Sequence, residues 1–241
     1  MKNQNPKKRK SAKSGKRNKI LTAVAAVLII AGIAIGIYPQ ITNAVYDKAV
    51  ARDELEFEQK TDQNNFDGLY ALLRQKNQEL YQSRQADLKD PFSYSQPDID
   101  LSQYGIENDI IGYVSIPRLD VTMPIILGAN DANLKKGAVH LTQTSYPIGG
   151  ENTNAVIAAH RGWSKSKMLR HIEKLETGDE IYIRNFRETL TYKVSEIAII
   201  EPTDVDKLMI RPGEDMITLI TCHPYRVNSQ RYVVYCTRVT E

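Results

Sequence analysis

An apolar stretch near the start of the chain separates a basic tail from everything that follows. The eighteen positions from Ile20 to Ile37 carry no charge, and Tyr38-Pro39 closes the segment. This length is enough to cross a bilayer as a helix. Residues 1–19 hold nine basic and no acidic side chains. Because basic flanks stay on the cytoplasmic side, we expect a cytoplasmic tail (1–19), a membrane anchor (20–38) and an extracellular remainder. A cleaved signal peptide is the alternative, but the apolar run exceeds a typical h-region and no Ala-x-Ala site follows.

Residues 47–89 have the composition of a helix. Gly and Pro are almost absent, and Ala, Leu, Glu, Gln, Lys and Arg dominate, with leucines recurring near helical spacing. This pattern predicts one helix, or two helices broken near Asn64–Gly68, with one side packed on the following domain. The apolar positions keep no heptad, which argues against a coiled coil.

Residues 90–104 change to Pro, Ser, Asp, Gln and aromatic residues, beginning with Asp90-Pro91-Phe92. Such a composition does not support regular structure, so we expect a long loop. Phe92 and Tyr94 leave two interpretations open, an inert linker and a loop that lies on an apolar groove.

Short β-rich runs bounded by turn residues fill residues 105–241. Their spacing predicts a mainly β domain, a closed or nearly closed antiparallel barrel. One short helix is predicted at Lys165–Leu175, capped by Ser164 or Ser166. The predicted strands are Ile111–Ile116, Val121–Leu127, Ala155–Ala159, Glu180–Ile183, Thr189–Ile200, Met216–Thr221 and Tyr232–Val239.

The charge of the chain is divided unevenly. The formal net charge is +3, but without the tail the remainder holds 23 basic against 29 acidic residues. A nucleic-acid role needs a basic face on the folded domain, so we expect no nucleic-acid partner. The positive run is assigned to topology and to anionic lipid headgroups.

Cys222 lies where a predicted strand ends. Strand-like residues precede it, and Pro224 cannot continue a central ladder, so the thiol is expected at an accessible strand end. Arg231 opens the next apolar run, and a loop at Tyr225–Gln230 would bring its guanidinium close to the sulfur. This arrangement would favour the thiolate and hold an oxyanion. The other cysteine, Cys236, is expected in the core without a disulfide, because it lies near the far end of its strand and bridging needs Cα atoms within about 7 Å.

A cysteine nucleophile needs a base, and the chain has four histidines. His160 ends an apolar strand and, like Cys222, lies at a strand-to-loop junction where its ring can face a groove, so it is the first candidate. His223 should point to the opposite face from Cys222, because successive strand residues alternate. His171 is expected on the surface of the short helix, and His140 as a semi-buried histidine with its hydrogen bonds satisfied.

The sequence Thr-Leu-Ile-Thr-Cys at 218–222, followed by Arg231, resembles the signature of sortases, the cysteine transpeptidases of Gram-positive cell surfaces. The resemblance extends from about Asp90 to Arg238 and implies an eight-stranded sortase barrel. The chain departs from the family at His223, where Thr is frequent. Segments similar to the class C, pilin-polymerising branch are Ser145–Gly150, His160–Gly162, Pro224-Tyr225 with Asn228, and Asp90-Pro91-Phe92, which in that branch is a lid over the active site.

The resemblance implies a reaction without a metal or organic cofactor. Cys222 attacks the Thr–Gly carbonyl of an LPXTG-like sorting signal, and His160 protonates the leaving amine. Arg231 stabilises the oxyanion or holds the substrate backbone. A pilin lysine or a cell-wall amine then resolves the thioacyl enzyme, with His160 taking its proton. The partners are proteins that carry such signals, pilin subunits first, and the membrane through residues 20–38.

The resemblance also implies a covered site. Asp90 would lie against Arg231 and Phe92 over Cys222, so the resting enzyme would be occluded. Thr221, Tyr225 and Asn228 are candidate groove residues.

Other functions stay open at this point. A housekeeping sortase would attach proteins to peptidoglycan, and the lid argues against it. A hydrolytic cysteine protease would use the same Cys222 and His160 but release the acyl group to water. A non-enzymatic membrane-tethered module would bind surface proteins, with Cys222 as a strand-end thiol only.

Overall fold

The computed structural model describes residues 10–86, 88, 96–106, 108–163 and 166–239, with side chains from residue 18 onward. The described residues form two units, one ending at Ala44 and the other beginning at Val45. The predicted lid Asp90-Pro91-Phe92 and the predicted cap Ser164 lie outside the described residues.

Helix α1 (Lys10–Gln63) contains the apolar segment. Among the described residues it is the one helix long and apolar enough to cross a membrane, and the apolar side chains of residues 20–38 are exposed. The helix continues without interruption through Pro39. A proline in a helix lacks the backbone donor, and its ring crowds the carbonyl four residues earlier. Beyond it, Thr42 Oγ1 donates to the Pro39 carbonyl (3.0 Å).

The predicted break near Asn64–Gly68 is confirmed, since helix α2 (Asp67–Gln82) follows the end of α1. Helix α2 buries Leu69 and Leu73 completely, which places one side of the helix in the core of the second unit. The Asn77 side chain accepts from the Tyr146 amide (2.7 Å) and donates to the Tyr146 carbonyl (3.3 Å). The predicted packing of this helical region against the domain is therefore confirmed.

The described residues form a closed eight-stranded barrel, as the resemblance implies, with strand order β1-β2-β3-β4-β7-β8-β6-β5. A four-residue helix, α3 (Asp131–Leu134), lies between β2 and β3. The strands are β1 (Ile110–Ile116), β2 (Val121–Leu127), β3 (Ala138–His140), β4 (Thr153–Ala158), β5 (Glu180–Asn185), β6 (Thr189–Ile200), β7 (Asp215–His223) and β8 (Gln230–Arg238).

The expectation of an antiparallel barrel is wrong at two interfaces. Strands β2 and β3 pair in parallel, and so do β4 and β7. Parallel strands have their carboxyl ends at the same edge of a sheet. The ends of β4 and β7 therefore lie side by side, which decides the geometry of the candidate site.

The barrel encloses an apolar core that includes Cys236, whose side chain is fully buried. Burial raises the pKa of the Cys236 thiol, because the charged form is disfavoured in an apolar environment. The two cysteines carry no disulfide. The predictions of a core Cys236 and of unbridged cysteines are confirmed.

The helix predicted at Lys165–Leu175 is wrong. The described part of this segment contains turns and a short 3₁₀-helix, Ile172–Lys174. Met168, Leu169 and Ile172 are buried at a spacing that imitates an amphipathic helix. The Leu169 amide instead donates to the His160 carbonyl (3.2 Å), so a hydrogen bond that closes the loop takes the backbone donor that a helix would need.

The loop expected over residues 90–104 also ends in regular structure, a 3₁₀-helix at Leu101–Tyr104. Asp100 caps it by accepting from the Ser102 amide (3.0 Å), and Gly105 ends it in the left-handed region.

Candidate active site

Cys222 is the second-to-last residue of β7 and lies directly opposite Arg231 of β8 in the antiparallel register. The two strands are joined by the loop between His223 and Gln230, as the sequence predicts. Residues opposite each other on neighbouring strands place their side chains on the same face of the sheet. The structure therefore brings the predicted thiol and guanidinium to one position of the barrel.

His160 reaches the same position from the other side of β7. Strand β4 runs parallel to β7, with Ala158 paired to Ile220. The pairing continues beyond β4, because the Ala159 amide donates to the Ile220 carbonyl (3.2 Å). His160 and Cys222 each follow their paired residue by two positions. Extended by two positions, this register brings His160 level with Cys222, which is paired with Arg231; we call these three residues the catalytic row, after the role proposed for them below.

Arg231 is held by the loop that precedes it. Only 8% of the residue is exposed, and its Nη1 donates to the carbonyls of Gln230 (3.1 Å) and Asn228 (3.3 Å). Asn228 has a left-handed backbone (φ +63°), a conformation that asparagine tolerates well. Its amide donates to the Pro224 carbonyl (3.1 Å), which closes a turn. The structure thus gives Asn228, a candidate groove residue, a role in orienting the arginine.

The other two candidate groove residues differ in exposure. Thr221 is fully buried, and its Oγ1 donates to the Ala159 carbonyl (2.7 Å). This hydrogen bond joins the end of β7 to the end of β4 next to the catalytic row. Tyr225 is 42% exposed, and the Arg226 guanidinium lies 5.3 Å from its ring centroid. Of the two, only Tyr225 has an exposed ring that a substrate can contact.

The His160 ring is half-buried and stacks on the Trp163 ring, with 5.3 Å between centroids and 16° between planes. Burial lowers the pKa of His160 below its ordinary value of 6.5; Asp131 opposes this shift and Lys135 adds to it. The imidazole is therefore mostly neutral at neutral pH and can accept a proton.

The His223 side chain lies on the face of the sheet opposite to Cys222, as strand alternation predicts. Its Nδ1 lies 2.5 Å from Arg161 Nη1, and its ring packs against Tyr232 (5.7 Å). Arg161 also pairs with Glu173 (3.0 Å). Burial, and then Arg161, lower the pKa of His223. The neutral His223 ring thus accepts from Arg161 behind the catalytic row.

The two remaining histidines lie away from this row. His171 is exposed, as expected, although it caps a 3₁₀-helix and does not lie within an α-helix. His140 is fully buried, not semi-buried, and its Nε2 lies 2.9 Å from the Ser145 carbonyl. Its Nδ1 has no hydrogen-bond partner among the described residues. Within the same ranges, no group of His, Cys, Asp and Glu is placed to hold a metal ion.

Trp163 is the residue of the site that sequence reasoning missed. It is the single tryptophan of the chain and follows His160 by three positions. This closeness to the first candidate base is the signal in the sequence that points to Trp163.

Comparisons with known proteins agree with this geometry. The model of the sortase domain matches residues 114–239. Sortase A of Bacillus anthracis is 28% identical over 156 residues, which cover 64% of this chain and 72% of that protein. The crystal structure of Sortase C from Streptococcus pneumoniae is 33% identical and matches with a TM-score of 0.64, covering 79% of this chain and 97% of that one. Sortase C from Clostridium perfringens SM101 is 29% identical with a TM-score of 0.66, covering 79% and 99%. The chain therefore belongs to the sortase family of cysteine transpeptidases, and its structural neighbours include class C sortases.

Proposed function

We propose that this protein is a membrane-anchored transpeptidase that cleaves an LPXTG-like sorting signal between Thr and Gly and transfers the acyl group to an amine. The observation that carries the proposal is the catalytic row: Cys222 and Arg231 are paired across β7 and β8, and His160 follows the end of β4, which runs parallel to β7. A nucleophile, a base and a fixed cation on one face are the groups that acyl transfer through a cysteine requires.

The reaction has two halves. The Cys222 sulfur attacks the threonine carbonyl, and the buried Arg231 guanidinium stabilises the oxyanion or holds the substrate backbone. His160 takes the Cys222 thiol proton as the sulfur attacks and gives it to the leaving glycine amine as the C–N bond breaks, so a thioacyl enzyme remains. The acceptor amine then attacks the thioester, and His160 takes a proton from this amine and returns it to the departing Cys222 sulfur.

The acceptor that we propose is a lysine of a pilin subunit. Support comes from the structural neighbours, of which the Streptococcus pneumoniae Sortase C is described in terms of pilin substrate specificity. Attachment to peptidoglycan is the second candidate, because Sortase A of Bacillus anthracis is also a relative.

Product analysis tests the transfer. The full-length chain in detergent is incubated with an LPXTG-type peptide, with and without an amine acceptor: a lysine-containing peptide, or triglycine as a cell-wall mimic. The proposal expects a ligated product with the lysine peptide and little hydrolysis. A preference for triglycine would support the cell-wall candidate. If the hydrolysed peptide were the main product even in the presence of either amine, the protein would be a protease. No turnover would contradict the enzymatic proposal.

We also propose that Asp90-Pro91-Phe92 covers the site at rest, with Asp90 against Arg231 and Phe92 over Cys222. Alkylation by iodoacetamide measures this, because Cys236 is fully buried and Cys222 is not. The Asp90→Ala/Phe92→Ala variant should be labelled at least several-fold faster than the parent. Equal rates would overturn the occlusion proposal without affecting the transfer proposal.

The proposed topology follows the charge pattern: residues 1–19 cytoplasmic, 20–38 in the membrane, and 47–89, the lid loop 90–104 and the barrel 105–241 outside. Helix α1 contains an apolar segment that is long enough to cross a membrane. Protease added to intact cells should cleave a tag fused after Glu241 and spare a tag placed before Met1.

A further inference from the structure

The Trp163 indole stacks on the imidazole of His160. The ring centroids are 5.3 Å apart and the planes differ by 16°, which is a stacked arrangement. Trp163 is partly buried and packs against the main core of the barrel. The indole thus contacts both the core and the candidate base.

The loop after β4 holds both rings in place. The Trp163 amide donates to the Ser166 carbonyl (2.9 Å), and the Leu169 amide donates to the His160 carbonyl (3.2 Å). Leu169 is itself buried. The backbones that carry the two rings are therefore tied within one short loop, which limits how far the rings can move relative to each other.

Arg170 adds a further constraint. Its Nη2 donates to the Trp163 carbonyl (3.4 Å), and its side chain lies directly over Gly162. Gly162 has φ +90°, and a Cβ there would lie 2.6 Å from Arg170 Nε. Glycine therefore allows both the left-handed turn and the close approach of Arg170.

The stacking has a chemical consequence for a proton-transfer residue. A neutral imidazole gains orientation from an aromatic face, and an imidazolium gains electrostatic attraction to the ring as well. Tryptophan gives the strongest such attraction. His160 is half-buried, so its charged form lacks part of its hydration, and the indole face replaces part of it.

We propose that Trp163 is a positioning residue for His160: its indole fixes the imidazole in the orientation used for proton transfer and stabilises the imidazolium formed during the reaction. This proposal rests on the proposed function of His160 as the acid and base. The charged groups that face His160, Asp131 and Lys135, remain unchanged when Trp163 is replaced.

The test uses the full-length chain in detergent with two substitutions. Trp163→Leu removes the aromatic ring and keeps apolar volume, whereas Trp163→Phe keeps an aromatic ring that attracts a cation more weakly than indole does. We expect Trp163→Leu to lower kcat for peptide transfer about tenfold with KM within twofold, and Trp163→Phe to recover part of the loss. His160→Ala gives the rate without any base.

A second readout does not need peptide turnover. Histidine-selective NMR, with the His160 signal assigned from its loss in His160→Ala, should show an upfield ring-current shift of the His160 ring protons in the unsubstituted chain. The shift should disappear in Trp163→Leu, and the His160 titration should move to lower pH by about half a unit.

The outcomes separate the two proposals. An absent ring-current shift in the unsubstituted chain, or a Trp163→Leu variant with unchanged His160 titration and unchanged kcat, would overturn the role of Trp163. An active enzyme with an indifferent His160→Ala variant would overturn the role of His160 instead. If Trp163→Leu does not fold, the ring-current shift of the parent and the kcat of Trp163→Phe decide.

Discussion

Cys222 and Arg231 are directly opposite each other across the β7–β8 pair, so the register of one hairpin places the thiol and the guanidinium on the same face. His160 joins them because β4 runs parallel to β7 and ends at the same edge. The site is thus fixed by strand pairing, and the loop from Pro224 to Gln230 adds only the hydrogen bonds that orient Arg231.

Replacement of Arg231 should damage catalysis more than stability. Arg231→Ala removes the buried cation that would meet the oxyanion, and kcat/KM for peptide transfer should fall about 10²–10³-fold. Arg231→Lys should recover little, because lysine lacks the planar fork that donates to the carbonyls of Asn228 and Gln230.

Arg238 offers a matched control at the far end of the same strand, where its guanidinium lies 5.5 Å from the Tyr192 ring centroid. Arg238→Ala should lower the unfolding midpoint and leave kcat/KM unchanged. Equal losses of kcat/KM in the alanine variants of Arg231 and Arg238 would contradict a catalytic role for Arg231.

The Thr221 hydroxyl should matter for the alignment of β4 with β7. Thr221→Val removes the hydrogen bond to the Ala159 carbonyl and should cost about 1–3 kcal/mol of unfolding free energy, because a buried acceptor is left without its donor. The rate of Cys222 acylation should fall several-fold, since His160 directly follows Ala159.

The control for this change is Thr218→Val on the same strand, which removes a buried hydrogen bond to Asn154 Oδ1 (2.8 Å) away from the catalytic row. It should lose comparable stability in urea unfolding and keep the parent acylation rate. If Thr218→Val slowed acylation as much as Thr221→Val, the effect would be general destabilisation and not alignment.

The amine-transfer step should depend on the protonation of His160. Burial lowers the pKa of His160 below 6.5, so the neutral base persists to slightly acidic pH and is lost as the pH falls through that lowered value. Pre-formed thioacyl enzyme should therefore react with the acceptor amine along an acid limb whose midpoint lies below pH 6.5.

The pKa of His223 is also lowered, so the same profile is measured for His223→Thr. The acid limb should persist in that variant. Its disappearance would assign the titration to His223 and contradict the role given to His160.

His140 should make the fold sensitive to acid. Burial lowers its pKa to about 4, so the unfolded chain binds more protons than the folded chain between that value and 6.5. The neutral His140 therefore causes no loss of unfolding free energy above about pH 6.5. As the pH drops through this range, the unfolding free energy falls, by about 3 kcal/mol in total.

His140→Phe removes the titration and keeps a ring to stack on Tyr146. Urea unfolding at pH 7 and at pH 4.5 should show a smaller pH-dependent loss in this variant than in the parent. The exposed His171→Gln variant serves as the control and should match the parent. Identical losses in the parent and His140→Phe would show that other groups cause the acid sensitivity.

The sequence predicted much of this architecture because seven of the eight described strands have six or more residues and a clear β pattern. Strand β3, with only three residues, is too short to show a periodic pattern. The parallel pairing of β4 with β7 depends on which strand ends meet in three dimensions, and alternation along a single strand carries no information about that.

The incorrect helix prediction at Lys165–Leu175 and the missed Trp163 have a common cause. Met168, Leu169 and Ile172 have helical spacing, yet the Leu169 amide donates to the His160 carbonyl, nine residues earlier. This loop-closing hydrogen bond, which helix propensity does not describe, overrides the helical preference. The same loop places Trp163 on His160, so the incorrect helix prediction and the missed residue arise from one feature.

The most direct test of the central claim is the intact mass of the full-length chain after incubation with an LPXTG-type peptide, compared with the Cys222→Ala variant. The account expects a mass gain equal to the acyl fragment ending in threonine, present in the parent and absent in Cys222→Ala. No adduct in either the parent or the Asp90→Ala/Phe92→Ala variant, in which the proposed lid is removed, would contradict the assignment of Cys222 as the nucleophile for this sorting signal.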